Sequence, residues 1–174
     1  MRRMLFKSFV HGPLTEAAPL AGDDALAELA AQVDRSARLR LGRTLFIREV
    51  DAGSCNGCEL EIHALNNIVY DLERFGMRFV ASPRHADVLL VTGPVTTNMR
   101  EALERTYQAT PGPKWVVAVG DCARDGGVFA DSYACVGGVA AVLPVDLHIR
   151  GCPPSPTALL KGLLALLESM QSDR

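Results

Sequence analysis

The stretch Trp115-Val-Val-Ala-Val-Gly-Asp-Cys-Ala123 sets the pattern for the whole chain. Five apolar residues without polar alternation read as a strand covered on both faces. Gly120 ends the run, and a cysteine follows almost at once. Working outward, Val88-Leu-Leu-Val91 has the same form and ends at Thr92-Gly-Pro94. Val145-Asp-Leu-His-Ile149 leads into Arg150-Gly-Cys152. Earlier strands are expected at Thr44–Val50 and Arg78–Ala81. Helical spacing fills the gaps: Glu59–Arg74 carries Leu60, Leu65, Ile68, Val69 and Leu72 on one stripe, stopped by Gly76. Residues 96–109 form a helix that a threonine can cap and that Pro111-Gly-Pro113 stops. A leucine-rich helix runs from about Ser155 to Ser169, after Pro153 and Pro154. A glycine-rich loop spans 120–138. Apolar strands alternating with helices predict an α/β fold, an open, mostly parallel flavodoxin-like sheet with helices on both faces.

The chain has 174 residues and a formal net charge of −2, so one core is expected and a nucleic-acid surface is not. No apolar run approaches the roughly 20 residues that span a bilayer. The first residues, MRRMLFKSFVHGPL, lack the continuous apolar stretch and small-residue cleavage site of a signal peptide, and we read the chain as cytoplasmic. Residues 1–43 stand apart from the α/β domain at 44–174. Arg2, Arg3 and Lys7 interleave with Met4, Leu5, Phe6, Phe9 and Val10, a short basic, apolar arm suited to a membrane surface or a partner. Leu26, Leu29, Ala30 and Val33 then recur at helical spacing after Asp23 and Asp24, predicting an amphipathic helical extension.

Five cysteines in a reducing compartment point to metal or redox chemistry rather than disulfides. Cys55 and Cys58 follow the strand at 44–50, Cys122 follows the strand at 115–119, and Cys152 follows the strand at 145–149. Loops after parallel strands gather at the carboxyl edge of the sheet, so the four thiols can converge there. A redox dithiol would use Cys55 and Cys58 but leave Cys122 and Cys152 without a role. Zinc and an iron–sulfur cluster both remain open. Only one cysteine pair is compact, and Gly53, Gly57, Gly120, Gly126, Gly127 and Gly151 allow backbone amides to approach an anionic cluster, which ranks a 4Fe–4S cluster above zinc. Cys135 has no strand end beside it and is expected to be a buried spectator.

Several long motifs carry a family resemblance. SCNGCELEI, ERFGMRFVASPRHADVLLVTGPVT, GDCARDGG, SYACVGGV and PVDLHIRGCPPSP resemble the small subunit of membrane-bound, energy-converting nickel–iron hydrogenases of the formate hydrogenlyase type. They are similar, slightly less closely, to the B (20 kDa) subunit of respiratory complex I. The match runs from about residue 46 to 168. It implies that Cys55, Cys58, Cys122 and Cys152 hold one proximal 4Fe–4S cluster. It also implies an electron-transfer subunit, not catalytic alone, working with a hydrogenase-type large subunit, a ferredoxin-like polycluster subunit and integral membrane subunits, peripheral on the cytoplasmic side of the cell membrane. The alternative is a complex I-like subunit whose cluster reduces quinone. In complex I the first two ligands are adjacent in sequence, whereas here they are spaced Cys-x-x-Cys, which favours the hydrogenase side. Asp121, Arg124, Asp125 and Cys135 depart from the family's usual residues.

Other polar residues carry weaker signals. Glu59 fits the first turn of a helix, where acidic residues are favoured, and Glu61 is open between that role and proton handling. Arg84, in SPRHAD, is expected near the cluster by the resemblance, where a cation would raise its potential; His85 has less claim. His63 and His148 read as packing or interfacial residues. TGPVTTNM has the glycine and threonines of a phosphate loop but no lysine, and reads as a strand end with a helix cap.

Overall fold

The computed structural model describes residues 43–169, together with Glu28, Ala31, Gln32 and Arg35. Those four are exposed and helical, and Arg35 Nε donates to the Ala31 carbonyl at 3.2 Å. The rest of the expected amphipathic helix and the whole basic arm lie outside the described residues.

The described strands are β1 (Leu45–Asp51), β2 (Met77–Phe79), β3 (Val88–Thr92), β4 (Val95–Thr96), β5 (Trp115–Val119), β6 (Cys135–Gly137) and β7 (Leu147–Ile149). The helices are α1 (Gly57–Ala64), α2 (Thr97–Ala109), α3 (Asp121–Asp125) and α4 (Pro156–Ser169). Strands β2-β1-β3-β5-β7 form one sheet in that order, every pair parallel, as the unalternated apolar runs require. Strands β4 and β6 pair antiparallel in a separate two-stranded sheet.

Successive residues of each central strand feed opposite cores. Val88, Leu90, Val117 and Val119 join Ile62 of α1, Leu65 just beyond it and the leucines of α4 on one face. Leu89, Val91, Val116 and Ala118 join Leu103 of α2 and Ala123 of α3 on the other. Both clusters are closed to solvent, and it is this two-sided burial that fixes the sheet's register. The start of β1 is pinned separately. Buried Asp87 accepts from the Phe46 amide at 2.9 Å and from Arg43 through both carboxylate oxygens, at 3.0 and 2.6 Å.

Two sequence expectations fail locally. The stripe at 59–74 is not one helix: α1 stops at Ala64, and a separate 3-10 turn covers Leu72–Phe75. Asn67 Oδ1 accepts from the Val69 and Tyr70 amides at 2.8 and 3.0 Å, diverting them from helical bonds, and Asp71 takes a φ of 43°. Ile68 is consequently 96% exposed instead of core. Nor does a threonine cap α2. Thr96 Oγ1 donates to the Ala52 carbonyl at 3.1 Å and Thr97 Oγ1 to the Ala134 carbonyl at 3.0 Å, so both hydroxyls bind neighbouring loops.

Candidate metal centre

β1 sits between β2 and β3, so the strand order reverses there and a crevice opens at the carboxyl edge, the usual ligand position in such sheets. The loop leaving β1 carries Cys55. Asp51 Oδ1 accepts from the Gly53 and Ser54 amides, both at 2.7 Å, and holds the turn. The Ala52 amide donates to the Thr92 carbonyl at 3.0 Å, and the Ala52 carbonyl accepts from the Thr96 amide at 2.9 Å, tying that loop to the end of β3. Asn56, at φ 70°, then turns the chain into α1, placing Cys58 in its first turn. Cys122 lies in the first turn of α3, directly beyond β5, and Cys152 follows β7 through Gly151.

The glycines show how close the sulfurs come. A Cβ on Gly57 would meet Cys55 Sγ at 3.5 Å and Pro153 at 3.9 Å, so the Cys55 and Cys152 loops adjoin. A Cβ on Gly120 would lie 2.7 Å from Cys58 Sγ and 3.3 Å from the Gly151 carbonyl, which sets Cys58 over the junction of the other two loops. A Cβ on Gly127 would lie 2.8 Å from Cys122 Sγ. At Gly120 and Gly127, though not at Gly57, only a residue without a side chain fits beneath the sulfur.

Electrostatics give the same picture. The Cys58 thiol is pushed up to about 12, first by burial, then by Glu59 and by Cys55, Cys122 and Cys152 in turn. Cys122 is also raised, chiefly by burial and by Cys152 and Cys55, with a hydrogen bond from the Val128 amide opposing. All four thiols therefore lie within electrostatic reach of one another. Cys55 and Cys152 are exposed and the other two half-buried. Among the described residues no three His, Cys, Asp or Glu side chains are arranged to hold a single metal ion. Cys135 is apart from the four thiols: it opens β6, opposite Thr96 in the two-stranded sheet, and is half-buried. The expectation of no strand end beside it is thus corrected, because the glycine-rich loop contains a strand too short to show as an apolar run.

Glu59 is more than a first-turn acid. It is 6% exposed, and among the described residues neither carboxylate oxygen has a hydrogen-bond partner. Sequence reasoning passed over Glu49, whose carboxyl is raised by burial, partly opposed by exposed His63. The two lie on a cavity of about 150 Å³ with Arg48, Asn66, Phe79 and Val80, beneath α1. The signal for it was Arg48-Glu49, two adjacent charged residues between the apolar runs of β1. Glu61 is partly exposed and His148 exposed. Arg84 and His85 are exposed in the 3-10 turn Pro83–His85, which packs against α2. TGPVTTNM is indeed a strand end leading into a helix, with buried Thr92 bonded to the Val50 carbonyl.

Fold and site together define an α/β chain that presents four thiols at the carboxyl edge of a parallel sheet. The chain belongs to the family described as NADH ubiquinone oxidoreductase, 20 kDa subunit, which it matches over residues 55–166. It is 43% identical over 153 residues to formate hydrogenlyase subunit 7 of Escherichia coli (strain K12), a match covering 86% of this chain and 58% of that protein. Over 130 residues it is 46% identical to the probable membrane-bound hydrogenase subunit mbhJ of Pyrococcus furiosus, covering 75% and 78%. A chain from the membrane-bound sulfane sulfur reductase, an archaeal respiratory membrane complex, has the same fold at TM-score 0.68 and 35% identity, covering 82% of this chain and 77% of that one. The match thus spans little more than half of the Escherichia coli relative. These relatives are subunits of oxidoreductase complexes, and the resemblance read from the motifs is borne out. Among the described residues no helix is long and apolar enough to cross a membrane.

Proposed function

We propose that the chain is the electron-transfer subunit of a membrane-bound hydrogenase of formate hydrogenlyase type, holding one 4Fe–4S cluster through Cys55, Cys58, Cys122 and Cys152. The observation that carries this reading is that thiols from three strand-end loops come within electrostatic reach of one another, with Cys58 packed over Gly120 and Cys122 over Gly127. A single tetrahedral zinc would draw its sulfurs to roughly 3.8 Å of one another. A four-iron cube holds its thiolates wider than that, and one compact pair, Cys55 and Cys58, with Cys122 and Cys152 arriving from separate loops, supports the cube. When bound, such a cluster takes up and gives back single electrons.

This chain's own residues supply the setting. Asp51 fixes the turn before Cys55, glycines leave room under the sulfurs, and the Val128 amide donates toward Cys122. Each thiol must lose its proton to bind iron. Exposed apolar side chains flank the edge: Leu60 beside Cys58, and Val128 and Tyr133 beyond Cys122. A hydrogenase-type large subunit covering them would bring its nickel–iron site beside the cluster, with a ferredoxin-like polycluster subunit as the other electron partner. Integral membrane subunits, contacted by the arm at residues 1–20, would hold the assembly on the cytoplasmic face of the cell membrane.

A second reading, quinone reduction in a complex I-like module, is favoured by the family's description; the Cys-x-x-Cys spacing favours the hydrogenase. The complex purified with its partners separates the two. Hydrogen-dependent reduction of the cluster supports the first reading, and inhibitor-sensitive quinone reduction without hydrogen activity replaces it by the second. Deleting residues 1–20 should weaken membrane retention and leave the cluster's spectrum unchanged; unaltered retention would reduce the arm to a tail.

A further inference from the structure

β5 and β7 pair through Val119 and Ile149, and the Gly120 amide donates to the Ile149 carbonyl at 2.8 Å. One step further along a parallel ladder, the Gly151 amide would donate to the Gly120 carbonyl. That carbonyl accepts from the Arg124 amide instead, at 3.2 Å, because the chain has already turned into α3. The Gly151 amide therefore loses its ladder acceptor immediately before Cys152. The side chain of Asp121 takes the acceptor's place. Its Oδ1 accepts from the Gly151 amide at 3.3 Å, while its own amide donates to the Gly151 carbonyl at 2.9 Å. Arg124 Nη1 stands 3.7 Å from the same Oδ1 and steadies it. The residue beside Cys122 thus grips the residue beside Cys152 by both its amide and its carbonyl.

We propose that Asp121 is a positioning residue: its carboxylate replaces the missing ladder acceptor, holds the Cys152 loop against the Cys122 loop, and lays a negative charge beside the sulfurs. This rests on the cluster reading given above. Two effects follow and can be separated. The hydrogen bond keeps two ligands in register, so losing it should loosen the cluster. The charge disfavours an added electron, so losing it alone should favour the reduced form; Arg124 and partial exposure temper this without reversing it.

The test uses the anaerobically purified protein with its accompanying subunits, comparing wild type, Asp121→Asn and Asp121→Ala. The asparagine keeps an acceptor oxygen and drops the charge; the alanine removes both. Iron and acid-labile sulfide are counted, iron loss to a chelator is timed, and the cluster is titrated by electron paramagnetic resonance. The alanine variant should lose iron roughly tenfold faster than wild type, the weight of one hydrogen bond to a charged group, with an altered line shape. The asparagine variant should keep wild-type iron and chelator resistance, while its reduced-to-oxidised ratio at a fixed potential rises several-fold. Unfolding midpoints of the variants identify an alanine chain that has simply failed to fold; the asparagine chain still decides. An alanine variant equal to wild type in retention and line shape overturns the positioning role. So does an asparagine variant that sheds iron as fast as the alanine. An unchanged ratio in the asparagine variant overturns the charge role. Wild-type protein without iron or sulfide overturns the cluster reading itself, and this role with it.

Discussion

Gly120→Ala puts the site's geometry under the most direct strain. Gly120 has φ 88° and ψ 164°, a region that is essentially glycine's own, and an alanine held there costs about 1–3 kcal/mol. At about 2–4 °C per kcal/mol for a chain of this size, the unfolding midpoint should fall by roughly 2–12 °C even without a cluster. The added methyl would lie 2.7 Å from Cys58 Sγ, where ordinary contact begins near 3.4 Å. Cys58 would have to retreat by about 0.7 Å, the difference between those two distances, yet metal–thiolate bonds tolerate only about 0.2 Å. Retreat is also resisted, because Cys58 packs against the core face formed by α1 and α4. The variant should therefore hold far less iron than wild type and show a distorted or absent cluster signal. Gly112→Ala is the matched control, since a Cβ there meets nothing within 4 Å. Iron content and resonance spectrum, with the midpoint by circular dichroism, read the result. A Gly120→Ala protein with full iron, an unchanged spectrum and an unchanged midpoint would refute the idea that this glycine makes room for a ligand sulfur.

Other outcomes follow from the same geometry. Serine at Cys55, Cys58, Cys122 or Cys152 should abolish or convert the cluster, whereas Cys135→Ser should leave its spectrum intact; a spectrum lost only in the Cys135 variant would reverse the ligand assignment. Asp87→Ala strands the half-buried Phe46 amide and frees Arg43, so it should cost about 1–3 kcal/mol in urea unfolding, with an unchanged midpoint counting against the pin at β1. In the cluster-free chain, Cys58 has its folded value raised from an ordinary 9 to about 12, so the folded state holds that proton more tightly than the unfolded one. Its contribution is complete below about 9 and lost as pH climbs toward 12. Urea stability should fall across that window, and less steeply in Cys58→Ser; a steeper fall in the serine variant would contradict the sign.

The strands were legible because a sheet covered on both faces needs unbroken apolar runs, as Val88–Leu90 and Trp115–Val119 supply. The strand-end cysteines were legible for a related reason: in a parallel sheet, position along the chain after each strand fixes position at one edge. What stayed hidden depends on polar side chains choosing among several backbone partners. Asn67 captures two amides and ends a helix whose leucine and isoleucine spacing runs on regardless. Thr96 satisfies the Ala52 carbonyl and not its own helix. β6 is short and rests on pairing with β4, a contact between distant segments that periodicity cannot show. Glu59 reads as a surface acid by position, yet α1 packs so that its carboxylate is buried.

The central claim is that four thiols at the sheet edge hold one iron–sulfur cluster. Its most direct test is metal and acid-labile sulfide analysis of the anaerobically purified chain, joined to resonance spectra before and after reduction. The account predicts about four irons and four sulfides per chain and a signal that appears on reduction. Stoichiometric zinc, with neither iron nor sulfide, would contradict it.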